Sequence, residues 1–118
     1  TAVYTFQQVK KIIKKINKDS KVIISIFAGR MADQGKNPLP IFKKSIQYTK
    51  KYKNIEILWA STREPYNYLE AKKIKCHIIT MPPKIIEQIK NFKKSYNQLT
   101  IDTVKGFYED AKKSGFKI

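Results

Sequence analysis

Val22-Ile23-Ile24-Ser25-Ile26-Phe27-Ala28-Gly29-Arg30 is a short, evenly apolar run that closes on a rare residue. From Val22 to Phe27 it is dominated by β-branched side chains, which suits a parallel strand buried on both faces. A second run of the same form, Ile55-Glu56-Ile57-Leu58-Trp59-Ala60-Ser61-Thr62-Arg63, also ends on arginine. These are the only two arginines among 25 basic residues, so the other 23 are lysine. Both stand just beyond a strand, at the edge of a parallel α/β sheet where ligands bind. A guanidinium fork matches a phosphate at two points, which a lysine point charge does not. Arg30 and Arg63 therefore read as an anion clamp.

Outward from these runs, strand and helix patterns alternate. Thr1-Ala2-Val3-Tyr4 resembles the tail of a strand that the chain enters partway. Phe6, Val9, Ile12, Ile13 and Ile16 recur at helical spacing with lysines opposite. Residues 28–40 carry two glycines and two prolines and read as a long loop. Helices are predicted over 41–52 and 65–73, with a strand over Cys76-His77-Ile78-Ile79-Thr80-Met81 after them. Pro82-Pro83 opens a helix to about residue 92, and a last helix is predicted over 101–111. Alternation of this kind predicts an α/β fold with βαβ units and a parallel sheet. Four strand-helix units plus one extra helix are about half of a (β/α)8 TIM barrel, which takes about 250 residues. The expectation is a single partial domain over residues 1–118, the C-terminal half of such a barrel with an extra C-terminal helix. A free-standing four-stranded sheet is the alternative.

A formal net charge of +16 raises nucleic acid or a membrane surface as partners. The lysines are spread over every segment, as solvated helix faces are, so neither partner is expected. No apolar stretch has membrane-spanning length and no signal peptide is legible, which gives a cytoplasmic expectation. The lone Cys76 rules out an internal disulfide and reads as a buried structural thiol. His77 reads as a core or edge histidine. No ligand spacing for a metal and no nucleotide-binding glycine loop occurs, so no metal and no cofactor are expected. Asp33, Glu64 and Asp102 form no convincing pair in the sequence.

The strand ends supply the remaining candidates. Ser61-Thr62-Arg63-Glu64 fits a capping box, with Ser61 accepting from a helix start that would also attract phosphate. Ser25 and Phe27 share one strand face and could line a pocket or fill a core.

At these residues the chain resembles the transaldolase family of class I aldolases. Ile24-Ser25-Ile26-Phe27-Ala28-Gly29-Arg30-Met31 is similar to its Ser-Pro-Phe-Val-Gly-Arg-Ile segment, and Ala60-Ser61-Thr62-Arg63 to its Ala-Ser-x-Arg segment. Thr1-Ala2-Val3-Tyr4 resembles the end of the preceding strand, and Ile79-Thr80-Met81-Pro82 its Ile-Thr-Val-Pro. Leu99-Thr100, Phe107 and Asp110 resemble its C-terminal helix. Ile26 departs by replacing proline, and Met31 by replacing isoleucine.

The resemblance implies a barrel that moves a dihydroxyacetone unit between sugar phosphates through a lysine Schiff base, within pentose phosphate metabolism. It implies that Arg30, Ser61 and Arg63 bind the phosphate, Ser25 touches substrate hydroxyls and Phe27 walls the site. Thr1 matches the threonine that positions a catalytic water. Related fructose-6-phosphate aldolases carry a tyrosine in place of Phe27, which favours transfer over aldol cleavage. The family's Schiff-base lysine precedes Thr1, so the chain alone is expected to be inactive. Its expected partner is an N-terminal half-barrel or further copies of itself. The alternatives are a non-catalytic sugar-phosphate-binding half-barrel, a fructose-6-phosphate aldolase and, in third place, a nucleic-acid binder.

Overall fold

The computed structural model describes residues 2–115. Two compact units divide the chain, one up to Gln88 and one from Ile89 onward.

The first unit is built on three parallel strands, β1 (Val22–Phe27), β2 (Ile55–Ala60) and β3 (Ile78–Ile79). Val22 pairs with Ile55 and Phe27 with Ala60, so the two long strands run in register over their full length. Val3 adds a single parallel bridge to Ile26 on the free side of β1. Spatial order therefore follows chain order from Val3 through β3, with no reversal of direction.

Helices α1 (Phe6–Lys15), α2 (Ala28–Asp33), α3 (Leu39–Thr49), α4 (Tyr66–Lys73) and α5 (Pro83–Lys90) connect or follow the strands. Thr5 starts α1 with a reciprocal cap: Gln8 N–H donates to its hydroxyl at 3.1 Å, and its own N–H donates to Gln8 Oε1 at 3.0 Å. Pro40 and Pro83 sit in first turns, where a missing N–H costs nothing.

One face of the sheet carries the core. Ile24, Ile26, Ile57 and Trp59 pack there with Val9, Ile13, Phe42, Ile46 and Ala71. Phe42 stacks on Trp59 with ring centroids 4.4 Å apart. The opposite parity stays partly open: Ile23 is 46% exposed, and Ser25, Phe27 and Leu58 are half-buried. The expectation of a strand buried on both faces is corrected here, because the helices cover only one.

Further corrections concern local structure. Residues 28–40 are not one loop, since α2 begins directly after β1 and runs to Asp33. A six-residue helix is too short to show periodicity, and its glycine reads as a breaker. The third strand shrinks from six expected residues to Ile78–Ile79. Side chains take over the ladder beside it. His77 Nδ1 accepts from Ile57 N–H at 3.0 Å, and the Cys76 thiol donates to Ile57 O at 3.3 Å. His77 is thus an edge histidine, and Cys76 is half-buried rather than buried. Burial pushes the Cys76 thiol up, which keeps it protonated at neutral pH.

The second unit centres on α6 (Tyr96–Lys113), which starts earlier than expected because Ser95 caps it, accepting from Gln98 N–H at 3.1 Å. Lys94 and Gln98 both donate to the Asp102 carboxylate at 2.8 Å and hold it below the usual carboxylate range. Among the described residues, no helix is long and apolar enough to cross a membrane.

Candidate functional site

The C-terminal ends of β1 and β2 carry the two arginines by different means. Arg30 projects from α2, one helical turn after β1 ends. Arg63 lies in the loop between β2 and α4, and Asn67 fixes that loop from below. Its Oδ1 accepts from the N–H groups of Arg63 at 3.2 Å and Glu64 at 3.0 Å. The Thr62 hydroxyl donates to Thr80 O at 2.6 Å, tying the same loop to the segment after β3.

The capping-box expectation for Ser61 is corrected by this arrangement. Helix α4 starts at Tyr66 without a side-chain cap on its preceding residue Pro65. Ser61 instead occupies the left-handed region at φ 60°, which serves the sharp turn off β2. Asn67, four residues beyond Arg63, does the amide-binding expected of Ser61.

Gly29 explains how the two loops meet. A Cβ there would lie 1.9 Å from Ser61 O, 2.6 Å from Arg63 Cγ and 2.8 Å from Ser61 Oγ. Only hydrogen fits, so α2 can lie directly against the Arg63 loop.

Arg30 and Arg63 line one groove of about 660 Å³, together with Tyr4, Thr5, Asp33 and Lys36. Three cations against one carboxylate make it an anion-attracting surface. Arg63 Nη2 donates to Asp33 Oδ2 at 3.0 Å in an ion pair whose partners are 50% and 52% exposed. The sequence carries no local signal for this pair, whose members lie thirty residues apart. Asp33's spacing of three from Arg30 marks its place beside the groove once α2 is recognised as a helix.

The other expected residues fall around this groove. Phe27 meets Tyr4 edge-to-face, 6.2 Å between centroids, and Tyr4 is part of the groove wall. Ser25 lies two residues before Phe27 on the open sheet face. The Ser61 hydroxyl points toward Gly29 and does not line the groove. Thr1 lies outside the described residues. A second groove of about 540 Å³ runs between α3 and α4 and is lined by no arginine. Among the described residues, no group of three or more His, Cys, Asp or Glu side chains gathers as metal ligands would.

A guanidinium pair on one wall can take a phosphate monoester from two directions. Each charge-assisted contact is worth roughly 1.5–3 kcal/mol. Such a groove favours anions by its charge, while none of the three described strands carries a lysine that could act as a buried amine nucleophile.

Comparison with known proteins places the chain in a family. The family model described as transaldolase/fructose-6-phosphate aldolase matches residues 1–118. A probable transaldolase of Caldicellulosiruptor saccharolyticus is 38% identical over 68 residues, 56% of this chain and 31% of the relative. One from Thermoanaerobacter sp. is 33% identical over 96 residues, 80% of this chain and 42% of the relative. One from Rhizorhabdus wittichii is 33% identical over 102 residues, covering 86% and 45%. The chain spans less than half the length of each of these curated relatives. With a match along its whole length, the chain belongs to the transaldolase/fructose-6-phosphate aldolase family.

Proposed function

We propose that this chain is the phosphate-binding, C-terminal half of a (β/α)8 enzyme that transfers a dihydroxyacetone unit between sugar phosphates. The observation that carries the reading is the shared groove of Arg30 and Arg63 at the ends of adjacent parallel strands. Strand order that follows chain order, with the core on one face, supports four consecutive staves of a barrel. The open face bearing Ser25 and Phe27 is then the inner wall, which an N-terminal half-barrel closes. Ser25 contacts substrate hydroxyls, Phe27 walls the site beside Tyr4, and Ser61 serves the phosphate end through its backbone, whose left-handed turn sets the course of the Arg63 loop. Thr1 positions the catalytic water.

The Schiff-base lysine belongs to that N-terminal half. An amine nucleophile works deprotonated, which takes burial or a neighbouring cation. The described strands contain no lysine. Borohydride treatment of the isolated chain with fructose 6-phosphate is expected to label no lysine, and a labelled one contradicts this division of labour.

The clamp is tested in a protein that joins this chain to its N-terminal half. Arg30→Lys and Arg63→Lys keep the charge but lose the fork. Each is expected to raise KM for sugar phosphates about tenfold, the loss of one charge-assisted contact. Unchanged KM in both variants rejects the phosphate site.

A further inference from the structure

We propose that Asp33 is an internal counter-ion for Arg63, holding in the empty protein the place that a ligand's phosphate takes. The proposal rests on the reading of the groove as a phosphate site. Helix α2 carries Arg30 and Asp33 three residues apart, so both face the groove they line. The carboxylate nonetheless pairs with Arg63, thirty residues away in sequence, at 3.0 Å. Arg30 makes no ion pair among the described residues. The close approach at Gly29 brings the two segments within reach of each other.

The physical consequence is a threshold. Asn67 anchors the backbone at Arg63, which leaves the long side chain free to exchange partners. A half-exposed pair is weak, so a doubly charged phosphate displaces it. Weaker anions meet a guanidinium that is already neutralised and a carboxylate that repels them. Asp33 thus acts through Arg63, setting how strongly an anion must bind to enter the site. Glu64 carries the same charge next to Arg63 and shares a smaller hollow with it, but does not line the groove, so it serves as the control for charge alone.

The test is a titration of this chain with inorganic phosphate, followed by NMR shifts, for wild type, Asp33→Asn, Glu64→Gln, Arg63→Gln and Asp33→Asn with Arg63→Gln. Asp33→Asn is expected to tighten the dissociation constant about two- to fivefold, the range of an exposed pair. Glu64→Gln is expected to change it by a smaller factor. In the Arg63→Gln background, the gain from Asp33→Asn is expected to vanish. Equal gains from Asp33→Asn and Glu64→Gln mean that net charge alone acts, and they overturn the counter-ion role. So does a gain that persists without Arg63, or weaker binding by Asp33→Asn. If wild-type binding still depends on Arg30 and Arg63 in those cases, the phosphate site stands and only the counter-ion falls. If no variant binds phosphate, both fall together.

Discussion

Gly29→Ala is expected to lower stability by about 1–3 kcal/mol, the usual cost of overpacking, and to weaken phosphate binding about tenfold or more. The nearest atom to the added methyl is a backbone oxygen, Ser61 O at 1.9 Å, which cannot swing aside as a side chain can. Either α2 lifts away from β2 or the Ser61 turn gives way. Both movements separate Arg30 from Arg63, because each arginine lies within two residues of the clash. Ser61 already holds a left-handed backbone, so the turn has little room to adjust. Urea denaturation gives the first number and a phosphate titration the second. A variant with wild-type stability and affinity would show that the contact between the two loops is not needed.

Phe42→Ala is expected to cost about 3–5 kcal/mol, as large-to-small changes of buried aromatics do. Phe42 is fully buried and stacks on Trp59 at 4.4 Å with the rings 18° from parallel. The cavity would open between α3 and β2, where only Ile46, Ile57 and Trp59 and their neighbours are available to close it. Domains have about 5–15 kcal/mol to lose, so the variant should forfeit a large share of its stability. Denaturation followed by the fluorescence of Trp59, the one tryptophan, reads the change. A loss below about 1 kcal/mol would mean that the stack is not part of a packed core.

Some of this architecture was legible in the residues and some was not. The bounds of β1 and β2 are where the apolar runs place them, because the bulky apolar side chains that fill the sheet end there. The same local signals fail at α2. Its six residues are too few to show a period, although Ala28 and Met31 reach the core, and its contact with the Arg63 loop depends on a missing Cβ at Gly29. The third strand is shorter than its apolar run because the side chains of His77 and Cys76 reach across to Ile57 in place of a backbone ladder. Ser61 matched a capping pattern that Asn67 fulfils from four residues beyond Arg63. Composition alone could not show that the helices cover one face of the sheet, since burial on either face favours the same residue types.

The site divides in the same way. Arg30 and Arg63 stood out by rarity and placement, and the fold brings both to one groove. Asp33 was invisible because its partner is distant in sequence, and Tyr4 because its role comes from the ring of Phe27. Long-range pairing of this kind has no local pattern to read.

The central claim, that two guanidinium groups carried just beyond the ends of adjacent strands take hold of one phosphate, is most directly tested by labelling the two arginines of this chain with ¹⁵N. Titration with fructose 6-phosphate should move the Nε–Hε signals of Arg30 and Arg63 together, along curves that share a single dissociation constant. Movement of only one signal, or two signals with separate constants, would contradict it.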